Sequence, residues 1–485
     1  MNITLDMKKA TGKFSLLDAT LLIGMLLIFI SCKAATLGTD LGKNRAAEKP
    51  ADIHKSDLYD DYAPIEKSTQ YQVFINGKPV QVWRETIHDM HAPNEKAYMH
   101  TALFDYSVGT QVKIISSTGF TDFVLSPKRF HIATTKKGNE LTFTIPEYYN
   151  YTLVIPGLEP LMLFGALDLS PYKTANTVVF EKGVHNAPNG LFRLESNTTY
   201  YLEEGAILNG QVLIQDASNV KVIGRGYIDD RTTPKGGNFI RVYNSTNIEL
   251  RGFGVRHATQ GWQVDMVNAS NVQVSHLNLL SFGLNNDGLD LGTGCSKVHF
   301  EHCFIGTGDD GFGWHAINAA KDGEEPLTDC RANDCIIWKG KVGHGIRIGS
   351  SLETRAVTNL HFKDIDIVKI VGGYSVVIHH SDWAEVKGLT FEGIRDEKPD
   401  QTAFVTGFIR KDQFSNPNVY KPGTISDIQF IDCESNGVRT YFYGYDENHK
   451  VKNVTFKNVK LKGRKMLQSD IEIGDYTENI VVVKD

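Results

Sequence analysis

A short motif recurs along the chain and indicates its fold. Its copies include SNVKVIGRGYID at residues 218–229, TNIELRGFGVRH at 246–257 and SNVQVSHLNLLS at 270–281. Each copy opens with a small polar pair and continues as an alternating strand. The first apolar residues of successive strands stand at 220, 248, 272, 298, 336 and 360. Coils of roughly two dozen residues without helical periodicity are typical of a parallel β-helix, whereas propeller blades are longer, at about 40 to 50 residues.

The segment before these repeats has a different pattern of apolar and polar residues. Residues 67–172 alternate apolar and polar positions between Gly, Pro and Asn turns, which is typical of antiparallel strands. We therefore expect an all-β protein, with an N-terminal β-sandwich at 67–172 followed by a right-handed parallel β-helix at 173–485.

Composition excludes one class of partner. The chain has 485 residues and a net charge of -6, with 51 basic and 57 acidic side chains. Without a basic stripe to neutralise phosphates, nucleic acid is not an expected partner. Nothing in the sequence calls for a cofactor or a metal ion, and no cysteine pair has the C-x-x-C spacing of a metal site.

The N-terminus predicts export. Lys8, Lys9 and Lys13 precede a short apolar run that ends in FISC at Cys32, a pattern that fits a signal peptide over 1–32 better than a membrane span. FISC is similar to a bacterial lipobox, which implies lipidation of Cys32. We expect an exported lipoprotein of the outer membrane, attached only through its lipid by a polar tether at 33–66. A plain signal peptide or a short anchor is the alternative.

Five further cysteines remain an open question. Export permits disulfides, and Cys330–Cys335 or Cys295–Cys303 could close small loops. Buried free thiols, Cys433 included, are the other interpretation.

Three carboxylates set among glycines form the candidate site. Asp287 precedes Asp309 by 22 residues, close to one coil, so it is expected to stack beside Asp309 and Asp310. His344 is expected one coil further along the same face. Adjacent residues of a strand point to opposite faces, so both Asp309 and Asp310 can face one cleft only if the strand ends or bulges there. Asp290 is interpreted as a structural or rim residue.

Clustered carboxylates suit glycoside hydrolysis. Because close carboxylates repel when all are ionised, one of them should keep its proton at neutral pH. A protonated acid can then protonate the leaving oxygen while a carboxylate activates water, and a gap of roughly 6.5–9.5 Å between them gives inversion.

The motifs NND, GDD and GHG, in this order on a β-helix, resemble the N-T-D, G-D-D and G-H-G motifs of polygalacturonases. The carboxylate trio is also similar to that of the related dextranase–isopullulanase family, which carries an N-terminal β-sandwich. The resemblance implies that Asp309 is the general acid and that Asp287 and Asp310 activate water. It also implies that His344 tunes or positions the acid. The R-I-K motif that grips a uronate is not evident, which favours a neutral or differently charged glycan.

Several other residues are candidates for contact with the polysaccharide or oligosaccharide substrate. They are Asn285, Arg347, Trp314, Tyr374, His379, His380 and Trp383; Trp262 is equally compatible with packing. The alternatives to an inverting hydrolase of α-glycosidic bonds are a polysaccharide lyase or epimerase, in which the acids could hold calcium, and a non-catalytic glycan-binding β-helix.

Overall fold

The computed structural model describes residues 65–88, 96–231, 236–257, 260–283, 285–398, 403–418, 422–437 and 439–483. The predicted signal peptide, Cys32 and nearly all of the predicted tether lie outside these ranges. No helix among the described residues is long and apolar enough to span a bilayer.

The N-terminal part consists of two sheets, and its first strand begins at Ile65, just inside the segment predicted as a tether. The six-stranded sheet is antiparallel except where β5 runs parallel to β11. In spatial order it contains β1 (Ile65–Lys67), β4 (Trp83–His88), β5 (Lys96–Asp105), β11 (Leu161–Ala166), β10 (Tyr151–Val154) and β7 (Val124–Ser126). The five-stranded antiparallel sheet contains β3 (Lys78–Val80), β2 (Tyr71–Ile75), β6 (Gln111–Ser116), β9 (Glu140–Thr144) and β8 (Thr134–Lys137).

The rest of the chain winds into a right-handed parallel β-helix with three faces, each a column of stacked parallel strands. Face 1 contains β18 (Ile240–Tyr243), β21 (Val264–Val267), β24 (Leu289–Leu291), β27 (Phe312–Ala316), β31 (Ile346–Leu352), β33 (Val376–His380), β35 (Ala403–Ile409), β38 (Arg439–Tyr443) and β42 (Ile471–Ile473). Face 2 contains β12 (Val178–Phe180), β14 (Thr199–Leu202), β16 (Ser218–Gly224), β19 (Thr246–Arg251), β22 (Ser270–Ser275), β25 (Ser296–Glu301), β28 (Leu327–Thr328), β29 (Arg331–Asn333), β36 (Thr424–Ile431), β39 (Val451–Lys457) and β43 (Thr477–Val482).

Face 3 contains β17 (Tyr227–Asp229), β20 (Gly254–Arg256), β23 (Asn278–Ser281), β26 (Phe304–Thr307), β30 (Ile336–Lys339), β37 (Glu434–Ser435) and β40 (Lys460–Leu461), with β41 (Arg464–Lys465) folded back on β40. Four longer strands bend from one face to the next: β13 (Gly183–Arg193), β15 (Ala206–Gln215), β32 (Ala356–Ile370) and β34 (Glu385–Asp396). Within the described ranges, a short α-helix, α1 (Ala319–Asp322), follows β27, and 3-10 turns form at Lys128–Phe130, Ser170–Tyr172 and Gln468–Asp470.

Stacked side chains hold the coils together, as the repeat predicts. Inside the helix, the rings of Phe362, Phe391, Phe430 and Phe456 stack nearly parallel, with centroids 4.9–5.3 Å apart. All four are fully buried. Full burial of one such side chain contributes about 1.5–3 kcal/mol, so the ladders that run through every coil supply the core of this domain.

The turn asparagines form a second ladder on the outside. The amide of Asn219 donates to Asn197 at 2.8 Å, and that of Asn247 donates to Asn219 at 3.1 Å. All three have positive φ, between 58° and 60°, the left-handed region that asparagine tolerates better than most residues. The small polar pair that opens each repeat is therefore the corner of a coil.

The predicted register is right for the first four strands and wrong at 336. Val220, Ile248, Val272 and Val298 are stacked partners on face 2. The next coil, however, pairs His299 with Arg331, and so the ladder passes through 330. Ile336 stacks on Phe304 of face 3 instead. The ten residues 317–326, which contain α1, lengthen this coil and displace the pattern.

The sandwich packs on face 3. Its apolar core is continuous with Phe282, Phe304, Ile336 and Trp338 of the β-helix. A buried ion pair between Glu85 and Arg256 also joins the two parts. None of the β-helix residues named in this contact belongs to face 1.

The described cysteines, Cys295, Cys303, Cys330, Cys335 and Cys433, are buried free thiols. This confirms the interpretation as core residues over that of disulfides.

Candidate active site

Residues that immediately precede the strands of face 1 are stacked in a column on successive coils. The backbone N–H of Gly288 donates to the carbonyl of Asp310, that of Gly311 to His344, and that of Gly345 to Tyr374, each at 2.9 Å. Asp287, Asp310, His344 and Tyr374 therefore occupy the same place on four successive coils. The structure thus brings four of the sequence candidates to one edge of face 1.

Asp309 joins this column because it lies in a turn. Strand β26 ends at Thr307 and β27 begins at Phe312, so the Asp309–Asp310 pair belongs to neither strand. One carboxylate oxygen from each of Asp287, Asp309 and Asp310 lies within 4.8 Å of the other two. A point between three such atoms is at most about 2.8 Å from each of them, which is hydrogen-bond distance for a water molecule.

Burial affects the protonation of two members of this trio. Asp287 and Asp310 are 2% and 1% exposed, and Asp309 is half-buried. Burial raises the pKa of Asp309 well above its usual range, and the charges of Asp287 and Asp310 raise it further. Burial, followed by the charge of Asp310, also raises the pKa of Asp287. Asp309, the most exposed of the three, is therefore one of the two carboxyl groups that tend to keep their protons.

Asp310 is held by two donors from the next coil. Nη1 of Arg347 lies 3.1 Å from its Oδ2, and the backbone N–H of His344 donates to its Oδ1. Nη2 of Arg347 donates to Oγ of Ser350 at 3.0 Å. Charge-assisted hydrogen bonds of this kind are stronger than neutral ones, so they fix the orientation of the Asp310 carboxyl group.

The hydrogen bonds of His344 fix its tautomer. The backbone N–H of Tyr374 donates to Nδ1 of His344 at 3.1 Å, so Nδ1 is an acceptor. Burial lowers the pKa of His344 well below its usual value, and the charge of Arg347 lowers it further. The ring is therefore neutral with its proton on Nε2, which makes Nε2 a hydrogen-bond donor.

Two residues lie next to Asp287 that sequence reasoning did not connect with it, His315 and Asp290. Nε2 of His315 lies 3.3 Å from Asp287 Oδ2 and 3.9 Å from Asp290 Oδ1. Asp290, interpreted from the sequence as structural or rim, is 1% exposed, and burial followed by the charge of Asp287 raises its pKa. Gly313 makes room for this cluster, since a Cβ there would lie 2.3 Å from Asp290 Oδ1.

Two of the predicted substrate contacts are wrong. Trp314 is fully buried among Phe300, Phe312 and Phe362, because alternation along β27 points Phe312 and Trp314 inward and Gly313 and His315 outward. The same alternation along β27 indicates from the sequence that the His315 side chain points outward. His380 is also fully buried, and its Nε2 lies 2.6 Å from the carbonyl of Ala384.

The other predicted contacts are placed as follows. His379 points outward but is 4% exposed, and its Nε2 lies 2.7 Å from Asp412 Oδ2. Trp383 is half-buried in the turn after β33, at the opposite end of that strand from Tyr374. Asn285 is half-buried with a φ of 49°. Trp262 stacks on His315 with centroids 5.4 Å apart.

An aromatic cluster continues the outward side of face 1 beyond the acids. Phe408, Tyr441 and Tyr443 are within 10° of parallel, with centroids 5.2–6.2 Å apart. Hydroxyl groups of Tyr374 and Tyr441 lie 3.4 Å apart, and the Tyr374 ring stacks on His344. The tyrosines are half-buried, so each keeps ring surface in reach of a ligand.

The carboxylates are also arranged so that a cation could bind. Ligand atoms of Asp287, Asp290 and His315 lie within 4.8 Å of one another, as do those of the trio. Hard cations such as calcium prefer oxygen ligands. Positive charge is already supplied there by Arg347, which pairs with Asp310.

A large groove lies elsewhere. Its volume is about 790 Å³, and it is lined by the sandwich and the first coils, with Trp83 and Tyr227 among its residues. It does not include the acids, so it is not the site of their chemistry.

The carboxylate cluster lies on face 1 of a parallel β-helix, and comparison with known protein families identifies the class of this protein. The model of glycosyl hydrolases family 28 matches residues 177–478, which is more than half of the chain. The chain therefore belongs to this family and is a β-helix glycoside hydrolase. No curated protein matches the chain by sequence.

Solved structures share the fold at low identity. An exopolygalacturonase from Thermotoga maritima is 16% identical with a TM-score of 0.50, and the match covers 63% of this chain and 83% of that one. Dex49A from Penicillium minioluteum is 12% identical with a TM-score of 0.50, and the match covers 88% and 97%. The second match is longer than the β-helix and extends into the N-terminal sheets.

Proposed function

We propose that this protein hydrolyses an α-glycosidic bond in a polysaccharide or oligosaccharide with inversion at the anomeric carbon. Asp309 is the general acid, and Asp287 and Asp310 activate the water. The observation that carries the proposal is the convergence of the three carboxyl groups, one oxygen of each within 4.8 Å of the others.

These roles correspond to the following reaction. Protonated Asp309 donates its proton to the glycosidic oxygen as the bond from that oxygen to the anomeric carbon breaks. A water held by Asp310 and Asp287 attacks the anomeric carbon from the opposite side and gives up a proton to one of these carboxylates. The products are a new reducing end and an alcohol on the other sugar.

The spacing is tighter than the gap of roughly 6.5–9.5 Å expected for inversion and nearer the roughly 5–5.5 Å of retaining enzymes, because one oxygen of each carboxyl group lies within 4.8 Å of the others. The proposal of inversion rests instead on how Asp310 is held. Both of its oxygens accept hydrogen bonds, from His344 and Arg347. A carboxylate tied at both oxygens is better placed to orient a water than to form a covalent intermediate.

The substrate proposed is a neutral glycan rather than a polyuronate. Strand β33, where R-I-K was expected, carries no arginine or lysine. Arg347 is paired with Asp310, and His379 is paired with Asp412. The fold likeness to an exopolygalacturonase and to Dex49A does not choose between these substrates.

The aromatic cluster supports binding of several sugar units on one side of the cleavage point. Tyr374 lies two coils beyond Asp310, and Tyr441 two coils beyond Tyr374. Coils are about 4.8 Å apart, so the cluster covers roughly the length of two to four sugars. Aromatic rings pack well against the apolar faces of pyranoses.

Export and lipid attachment at Cys32 remain part of the proposal and rest on the sequence alone. Labelling with a fatty acid in a bacterial host should mark the native chain and leave Cys32→Ser unlabelled. A labelled Cys32→Ser would overturn it.

A screen of the protein without its first 32 residues tests the activity. Neutral α-glucans and polygalacturonan are incubated with it, and reducing ends, ultraviolet absorbance and the first anomer formed are measured, with and without a chelator. Hydrolysis by inversion predicts reducing ends, the β-anomer first, and no chelator effect. An absorbance rise from a new double bond, abolished by the chelator, would instead indicate the lyase that the cation-compatible acid cluster allows.

A further inference from the structure

Three possible ligand atoms converge next to the proposed base Asp287. Its Oδ2 lies 3.3 Å from Nε2 of His315, and Oδ1 of Asp290 lies 3.9 Å from the same nitrogen. All three side chains belong to residues that are at most 8% exposed, and a ligand atom of each lies within 4.8 Å of the other two. The steps proposed above use Asp287 but neither His315 nor Asp290.

A glycine leaves space beside this group. A Cβ at Gly313 would lie 2.3 Å from Asp290 Oδ1. It would also lie 2.7 Å from both Asp287 Oδ2 and His315 Nε2. The three atoms therefore converge on one small space, which any larger residue at position 313 would fill.

The carboxyl group of Asp290 is buried without a donor. Both of its oxygens are inaccessible, and no amide, imidazole or alcohol group of the described residues donates to either. Among the same residues, the ion-pair partner of Asp290 is His315, at 3.9 Å. A buried polar group left unpaired costs roughly 1–3 kcal/mol, so these oxygens indicate that a ligand belongs beside them.

The donor set and its spacing suit a divalent transition metal. Zinc accepts carboxylate and imidazole ligands, whereas calcium and magnesium prefer oxygen alone. Tetrahedral zinc with bonds of roughly 2.0–2.2 Å places its ligands about 3.3–3.6 Å apart. The two carboxylates lie 3.3 and 3.9 Å from Nε2 of His315, so only small shifts would close the set around an ion.

The imidazole is held in position for this role. Trp262 stacks on His315 with ring centroids 5.4 Å apart and planes 25° apart. Support of this kind, which fixes the orientation of a ligand, is typical of metal sites. The trio of Asp287, Asp309 and Asp310 differs, because it offers oxygen ligands only.

We propose that Asp287, Asp290 and His315 form a binding site for a divalent transition-metal ion of the zinc class, and that this ion inhibits the proposed hydrolase. With Asp287 bound to the ion, its oxygen is no longer available to activate water. The metal-free protein is then the active form. The binding site is independent of the proposed function, whereas the inhibition rests on it.

Metal titration of the full chain, purified in detergent without a histidine tag, tests the site. Calorimetry should show one Zn²⁺ bound per chain, and Co²⁺ should give the visible absorption of a site with a nitrogen ligand. His315→Phe keeps a ring against Trp262 but removes the nitrogen. It should weaken Zn²⁺ binding by at least about 100-fold, since loss of a merely supporting residue costs roughly 10–100-fold.

The matched control is His361→Phe, which removes a half-buried histidine that also lies 3.3 Å from a carboxylate, that of Glu392. This variant should bind Zn²⁺ as wild type does. His315→Gln replaces His315→Phe if the latter does not fold, and the imidazole ¹⁵N signal of His315 in wild type should shift on addition of Zn²⁺. No binding by wild type, or equal binding by a folded His315 variant, would overturn the site.

Calcium distinguishes this site from the oxygen trio. Ca²⁺ at the same concentration should leave Zn²⁺ bound, because His315 contributes a nitrogen ligand. Displacement of Zn²⁺ by Ca²⁺ would overturn the assignment, since it would place the ion among the oxygens of Asp287, Asp309 and Asp310.

Turnover of the glycan that the screen identifies tests the inhibition. Saturating Zn²⁺ should lower kcat/KM of wild type by at least about tenfold, because loss of a base costs roughly 10²–10⁴, and a chelator should restore it. The rate of His315→Phe, relative to its own metal-free rate, should not respond. Zn²⁺ that binds without slowing wild type would overturn the inhibition. If no glycan is turned over, the proposed function fails and the inhibition with it, whereas the titrations alone decide the site.

Discussion

Arg347 donates a hydrogen bond of 3.1 Å to Asp310 from the next coil of the β-helix. The contact joins a residue on face 1 to the turn that carries the acids, so it couples the position of a proposed base to the stacking of the coils. Arg347→Met should lower kcat/KM by roughly 10²–10⁴, the range for loss of a general base. Initial rates on the substrate from the screen measure this.

The control for that experiment is Arg355→Met, which removes an exposed arginine paired with Glu325 just after the same strand. It should leave the rate within about twofold, because exposed pairs contribute roughly 0–1 kcal/mol. Equal rates for wild type and Arg347→Met would show that the Asp310 contact is not needed for turnover.

Gly313→Ala should inactivate the protein without unfolding it. A Cβ at this position would lie 2.3 Å from Asp290 Oδ1 and 2.7 Å from Asp287 Oδ2, so the carboxyl groups must move. We expect a loss of at least 10²-fold in kcat, since displacement by about 1 Å has that effect on positioned groups. Gly119→Ala, whose Cβ would meet nothing within 4 Å, is the control. Full activity of Gly313→Ala would remove Asp287 from the mechanism.

Trp314→Leu should affect stability rather than substrate binding. The indole is fully buried in the β-helix core, so the smaller side chain leaves a cavity that costs roughly 2–4 kcal/mol of unfolding free energy. Denaturant unfolding measures this loss. KM should be unchanged. A raised KM with unchanged stability would restore Trp314 as a sugar contact.

The fold was predictable from the sequence because its determinants are local. Polar corner residues such as Asn247 and alternating strands recur from coil to coil, and three spaced motifs placed Asp287, Asp309 and His344 on one edge. The predicted register is wrong at Ile336, because an insertion whose course could not be predicted from the sequence precedes it. Trp314, predicted as a substrate contact, is buried because alternation along β27 points it into the core.

His315 was missed although alternation along β27 points it to the same side as Gly313. Its contact with Asp287 could not be predicted from the sequence, because the distance between the two side chains depends on how successive coils overlap.

The buried ion pair between the sandwich and the β-helix should make stability depend on pH. Burial alone would raise the pKa of Glu85, but Arg256 lowers it below its usual value. A carboxyl with a depressed pKa in the folded state stabilises above its unfolded pKa of about 4.3, and this is lost as the pH falls through the folded value.

Arg256→Met should therefore destabilise the protein by roughly 3–5 kcal/mol at pH 7, because Glu85 is left buried and unpaired. Chemical denaturation at pH 7 and pH 4 measures this, and the loss should shrink at the lower pH. Adding Glu85→Gln should recover part of it. A loss that is equal at both pH values would contradict an electrostatic origin.

The central claim is that Asp309 donates the proton that cleaves a glycosidic bond. The most direct measurement is reducing-end release by wild type and by Asp309→Asn across pH, on the glycans of the screen. Because the raised pKa of Asp309 keeps it protonated, wild-type activity should fall only as the pH rises through that value. We predict that Asp309→Asn releases reducing ends roughly 10²–10⁴ times more slowly and lacks this alkaline limb. An unchanged rate, or a limb that persists in the variant, would contradict the account.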